Sequence, residues 1–266
     1  MRLPGCLCVV ALMASLAQAA EPPQRIVSLN LVSDIVLLDL VEPGRIAALS
    51  HVAAHPHLSL VHERASDFPS VRGGAEEVLA LRPGLVIGAR WGQGPVLDMA
   101  RRLGVPTFEI PLADSYAGIR EMILGLAGAV GEPGRGRDLL ARLDAARARL
   151  HALPAHSTPS PAAYCGPSGF TGGDSPLARE QLGDAALIPA RAGRMDLEAL
   201  VLARPDVLVS VAYRPDHPSL IQLLLRHPAL RGLEPEVRTV PLHLLLNATH
   251  RSPEASAAMH ASGAWP

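Results

Sequence analysis

The stretch GGAEEVLALRPGLVIG, residues 73–88, reads as a short amphipathic helix, a proline break and a buried strand. Val78, Leu79 and Leu81 supply the apolar side of the helix. Pro83 cannot extend it, because it lacks an N–H and disfavours helical geometry at Arg82. Leu85, Val86 and Ile87 then form the continuous apolar run expected of a strand covered on both faces. The same succession returns in MDLEALVLARPDVLVS, residues 195–210. Glu76 stands seven residues before Pro83, and Glu198 seven before Pro205. Two copies of one α/β unit in a single chain predict two similar lobes.

The 266 residues suffice for one large domain or two modest ones, each with its own core. An apolar fraction of 48% marks a folded chain. The formal net charge of −1 leaves no electrostatic footprint for nucleic acid. Residues 1–20 are expected to be a secretory leader: Arg2 is a minimal basic region, 7–16 a short apolar core, and Ala17-Gln18-Ala19 a cleavage pattern. The mature chain then starts at Ala20 or Glu21, without a lipid anchor, since LPGC (3–6) precedes the apolar core instead of following it. Cys6 and Cys8 leave with that leader, so Cys165 remains as a lone, buried thiol.

Strands and helices alternate along the chain. Strands are expected at 25–29, 45–49, 107–110, 162–165, 207–211 and 238–241, and helices at 34–41, 92–104, 116–130, 177–182, 219–227 and 252–261. Residues 51–71, 166–174 and 242–250 read as connections. Such alternation argues for mostly parallel sheets with helices on both faces. Residues 137–153 hold Leu139, Leu140, Leu143, Ala146 and Leu150 at helical spacing with no Gly or Pro inside. At about 1.5 Å per residue this helix is a stiff rod of roughly 25–30 Å.

No nucleophile elbow, phosphate-cradling P-loop or H-E-x-x-H motif is present, so hydrolase chemistry has little to stand on. His51, His55, His57 and His62 cluster in one connection, which raises an exported zinc or manganese carrier as the alternative. Their mixed spacing, without Cys or carboxylate partners, fits solvated surface histidines better than a closed metal site. In a parallel α/β protein, ligand contacts belong in the loops at the carboxyl ends of strands. That rule selects Asn30, Leu31, Ser50, His51, Arg90 and Trp91 in the first half, and Phe170, Thr171, Tyr213, Arg214, Asn247 and His250 in the second. Trp91, directly after a strand, can stack on a flat ligand. Glycines 169, 172 and 173 permit close backbone approach beside Phe170.

Taken in order, RIVSLN with Ser33-Asp34, RIAALS (45–50), EEVLALRPGLVI (76–87), LGVPTFEI (103–110), GEP before the long helix, GFTGGDSPLAREQLG (169–183) and LEALVLARPDVLV (197–209) resemble the periplasmic substrate-binding proteins of ABC importers for iron complexes and vitamin B12. The resemblance spans 25 to about 253. It implies an α/β fold of two Rossmann-like lobes with mostly parallel sheets, joined by a single long helix, with the ligand cleft between them. The expected division is 21–131, 132–154 and 155–266, after the leader 1–20. The implied cargo is an iron chelate (siderophore or haem) or a cobalamin-type corrinoid, with no intrinsic cofactor. The implied partners are an inner-membrane permease and its ATPase, met in the periplasm by a monomer. Glu76 and Glu198 match the positions at which such proteins place one docking acid per lobe, with Glu77 a substitute for Glu76. Near the end, LNATHR (246–251) stands where many such proteins carry a Trp or Tyr, and the usual final helix is cut short.

Overall fold

The structure, a computed structural model, describes residues 21–154, 158–166, 169–171, 173, 175–213, 227–230 and 232–261. The leader expected over 1–20, Arg214 and most of the helix expected over 219–227 lie outside these residues. The first lobe is a five-stranded parallel sheet of β1 (Ile26–Ser28), β2 (Ile46–Ser50), β3 (Ser70–Val71), β4 (Leu85–Ala89) and β5 (Thr107–Ile110), in the order β3-β2-β1-β4-β5. Its helices are α1 (Leu31–Leu40), α2 (His62–Ala65), α3 (Ala75–Ala80), α4 (Arg90–Arg102) and α5 (Tyr116–Ala129). The long helix α6 (Pro133–His151) follows.

The second lobe carries β6 (Ser160–Gly166), β7 (Gly169–Thr171), β8 (Leu187–Pro189), β9 (Arg194–Met195), β10 (Val207–Ala212) and β11 (Glu236–Pro241). Their order is β11-β10-β6-β7-β9, with β8 beside β6. Its described helices are α7 (Pro176–Asp184), α8 (Leu197–Ala203), α9 (Leu242–Leu245) and α10 (Pro253–His260). Strands β6, β8, β10 and β11 run parallel, whereas β7 is antiparallel to both β6 and β9.

Both sheets are covered on two faces, which explains their unbroken apolar runs. In the first, Ile26 and Ile87 join one core with Ile35, Ile119 and Leu126, while Val27 and Val86 join another with Leu97 and Ala100. In the second, Val207 and Val209 face Leu182 and Met259, while Leu208 and Cys165 face Leu200. Cys165 is fully buried, and burial pushes its thiol up to about 11.

The two copies of the sequence unit become α3–β4 and α8–β10. Each helix ends on an arginine in the left-handed region, Arg82 at φ 47° and Arg204 at φ 45°. The Arg204 N–H bonds back to the Leu200 carbonyl at 3.1 Å, and the Arg82 N–H to Leu79 at 2.9 Å. These turns end the helices before the prolines do.

Helix α6, 19 residues and about 28 Å long, is rooted in both lobes. Leu139, Leu140 and Leu143 enter the first-lobe core. Toward its other end, Arg147 donates to both oxygens of Asp184 on α7, at 2.8 and 2.9 Å, and His151 lies 2.6 Å from the same carboxylate. The Arg147 guanidinium also covers the Tyr116 ring at 3.9 Å, and the Tyr116 N–H donates to Glu180 on α7 at 2.7 Å.

Several expected connections contain structure. Residues 51–71 hold α2 and β3, 166–174 hold β7, and 242–250 hold α9. Helix α1 begins at Leu31 and not at residue 34, because the Asn30 carboxamide caps it by accepting from the Val32 N–H at 2.9 Å.

Candidate functional site

In the first lobe the carboxyl ends of β1, β4 and β5 open onto one cavity of about 570 Å3. Its apolar lining comes from Val32, Ala89, Ile110, Pro111, Leu112 and Ala113, and Ala248 from the second half of the chain closes one side. Asn30, Arg90, Trp91, Gln93 and Glu109 supply the rest. Trp91 and Leu112 are 92% and 94% exposed, which for large apolar side chains at a cavity mouth marks a surface meant to be covered.

Local backbone explains how Trp91 is displayed. The start of α4 is broken: Trp91 has φ −75° and ψ 113°, and Gly92 has φ 92°. Only glycine adopts that φ without strain, so Gly92 throws the indole outward before Pro95 resumes the helix. The Gln93 side chain fixes the corner by accepting from the Ala89 N–H at 2.9 Å.

Across the cleft, Tyr213 follows β10 and is 47% exposed. Its ring centroid lies 6.3 Å from that of His55 and 5.8 Å from that of His57, both in the connection after β2. The connection after β2 therefore meets the segment after β10 ring to ring. Among the described residues, no group of three or more His, Cys, Asp or Glu side chains is arranged to hold a metal ion.

The other expected contacts sit elsewhere. Ser50 is buried, with its hydroxyl donating to Asp34 and its N–H lying 3.3 Å from the same carboxylate. Asp34 itself is fully buried, and burial raises it to about 7 against the lowering effect of Ser28 and Ser50. His51 is exposed, outside the cavity, and Leu31 is half-buried. Asn247 and His250 were expected in the cleft but do not join the cavity. Asn247 is fully buried, donating to the Leu244 carbonyl at 2.6 Å and accepting from the Thr249 hydroxyl at 3.0 Å. The turn of α9 draws its carboxamide inward, because a buried amide must be satisfied.

His250 is buried against Asp39 of α1, at 2.9 Å, in a separate cavity between α1, α6 and α10. Burial opposes ionisation of Asp39, but His250 and Arg64 outweigh it and lower its carboxyl to about 2. For Phe170 and Thr171 the structure describes the strand β7, antiparallel to β6.

Glu76 on α3 and Glu198 on α8 are exposed, one on each lobe. Glu77 accepts from the Arg72 N–H at 2.9 Å and is tied to its own loop, whereas Glu76 has no such bond among the described residues. Sequence reasoning missed Leu112, a single leucine in a loop without periodicity.

No protein-family model matches the chain, and no curated protein matches it by sequence. Solved structures do. The periplasmic haem-binding protein RhuT from Roseiflexus sp. RS-1, in apo form, is 24% identical with a TM-score of 0.68, covering 89% of this chain and 98% of that one. A periplasmic haem-binding protein from Pseudomonas aeruginosa is 22% identical with a TM-score of 0.68, over 90% of this chain and 91% of that one. The periplasmic vitamin B12-binding protein BtuF of Vibrio cholerae is 17% identical with a TM-score of 0.64, over 90% and 96%. The two α/β lobes joined through α6 are thus the fold of these periplasmic binding proteins.

Proposed function

We propose that the chain is the substrate-binding component of an ABC importer, a carrier without catalytic activity. It takes an iron chelate or a cobalamin-type corrinoid into the cleft between its lobes and delivers it, in the periplasm, to an inner-membrane permease and its ATPase. One observation carries this reading: a cavity at the strand exits with Trp91 and Leu112 left uncovered at its mouth. Scattered apolar exposure is ordinary, but two such residues beside a preformed cavity favour a ligand. The shared fold supports it.

Within this reading the lobes are 21–131 and 155–266, with 132–154 as the connecting segment after a cleaved leader at 1–20. Asn30, Arg90, Trp91 and Tyr213 contact the cargo, and Phe170 and Thr171 approach it from β7. Glu76 and Glu198 dock on the permease, one per lobe. Charge at two points on a stiff body sets orientation and speeds encounter with a basic surface.

The test is thermal unfolding with hydroxocobalamin, haem and a ferric siderophore. A cognate cargo at a hundredfold its Kd adds about 2.7 kcal/mol to stability and raises Tm. The reading fails if none of the three does so and zinc alone does.

A further inference from the structure

A second cavity, also of about 570 Å3, lies where α1, α6 and α10 meet, and it shares no lining residue with the one at the strand exits. Its α6 wall is Arg142, Ala145, Ala146, Arg149 and Leu150, a spacing that a helix turns to one side. The alanines keep the floor low between two exposed arginines set about 10 Å apart along the axis. Leu153 beyond α6, with Pro253 and Ala257 of α10, makes the rest largely apolar. The acids on this lining are already engaged. Asp39 accepts from Arg64 at 2.8 Å and lies 2.9 Å from His250, and Glu254 accepts from Arg251 at 2.6 and 3.0 Å. Arg142 and Arg149 make no hydrogen bond or ion pair among the described residues. The lining therefore has two cations to spare.

A mostly apolar cavity of this size, with a few polar groups at its edge, has the character of a small-ligand site. Guanidinium groups take carboxylates through paired N–H bonds, and their long stems let two of them converge on one group. A neutral ligand would leave both cations unused, and a compact anion would leave the apolar walls wet. We propose that this cavity is a second ligand site, distinct from the cargo cleft, which takes one molecule of an amphiphilic carboxylate. The hydrocarbon body lies against Ala145, Ala146, Leu150 and Pro253, and the carboxylate is held by Arg142 and Arg149. The cavity is concave and admits a single chain, which favours a free amphiphile over a bilayer surface. Its walls come from the first lobe through α1 and from the second through α10, so a molecule bound there touches both and braces α6 between them.

The experiment is calorimetric titration of the full exported chain with decanoate, kept below its micellar concentration. One decanoate per chain is expected, together with a rise in Tm. Decanol, equal in length but uncharged, and acetate, charged but without a body, bind at least tenfold more weakly. Arg142→Gln combined with Arg149→Gln weakens decanoate tenfold or more and leaves the Tm of the free chain unchanged. Ala145→Trp, which fills the floor from an exposed position, does the same. Trp91→Ala, in the other cavity, leaves decanoate binding within twofold. No binding, several decanoates per chain, equal affinity for decanol, or indifference to both the arginine pair and Ala145→Trp overturns the inference. Loss of binding in Trp91→Ala puts the amphiphile in the cargo cleft and overturns it too. So does co-sedimentation with phosphatidylglycerol vesicles that the arginine double variant abolishes, which assigns these cations to a membrane surface. None of these outcomes touches the importer role, which the cargo series tests separately.

Discussion

The units α3–β4 and α8–β10 are alike in their frames and unlike at their exits. Both helices stop on a left-handed arginine, both prolines are buried, and both strands run through two cores. Past the strands the likeness ends. After β4 the chain breaks at Gly92 and displays Trp91 to solvent, while after β10 it leads to Tyr213 packed against histidines of the other lobe. Packing constrains the frame, since every residue there answers to two cores. The exits answer to solvent and cargo, so they diverge.

The lobes also differ in how they handle a buried carboxylate, and this sets the largest expected effect. Among the described residues, Asp34 in the first lobe is held by serine hydroxyls and a backbone N–H, and burial raises it from 3.8 to about 7. Between those values the folded chain keeps a proton that the unfolded chain has released. Stability from this group therefore falls as pH rises from about 4 to about 7, and levels off above. A shift of that size corresponds to a cost on the order of 4 kcal/mol at pH 8. Thermal unfolding at pH 5 and pH 8 should show a higher Tm at pH 5 for the native chain relative to Asp34→Asn, with the gap closing or reversing at pH 8. Parallel behaviour of the two at both pH values would remove the contrast.

Asp184 is the second lobe's counterpart, 1% exposed but gripped by Arg147 and His151 of α6. Here the charge is compensated by the Arg147 guanidinium, so removing it leaves that cation facing a neutral amide. Breaking a buried pair costs about 3–5 kcal/mol. With the Arg147 side chain 27% and that of His151 51% exposed, Asp184→Asn should lose about 2 kcal/mol. Because α6 meets both lobes, solution scattering of the variant should also report a wider spread of lobe separations. A stable variant with unaltered scattering would mean that the remaining contacts, the Tyr116–Glu180 hydrogen bond among them, suffice to hold the second lobe.

The frame was legible because its signals are periodic. Apolar runs at 85–87 and 207–209, the spacing of Glu to Pro, and the leucine pattern of α6 all repeat something a sequence can display. Strand-end position also found Trp91, Asn30 and Arg90, which the fold brings to one cavity. It misplaced Asn247 and His250, because nearness to the last strand says nothing about which way α9 turns a side chain. β3 and β9, two residues each, are too short to show a period at all. Asp34 reads only as the start of the helix expected over 34–41, and the fold buries it beside Ser50.

The smallest effect is the sharpest test of kinship between the two units. Arg82 and Arg204 are exposed, and their side chains make no hydrogen bond among the described residues, so their backbone conformation is what substitution probes. A non-glycine residue in the left-handed region costs roughly 1–2 kcal/mol. Glycine relieves that cost but gains freedom in the unfolded chain worth about 0.4–1 kcal/mol. Arg82→Gly and Arg204→Gly should each therefore stabilise by about 0.5 kcal/mol, measured by urea unfolding. The first should not exceed the second by much, although Arg25 braces only the first turn, its guanidinium reaching the Leu81 carbonyl at 2.6 Å and that of Arg82 at 3.2 Å. If one substitution stabilised and the other destabilised by 1 kcal/mol, the left-handed arginines would be doing different jobs, and the repeat would be a likeness of letters without a likeness of forces.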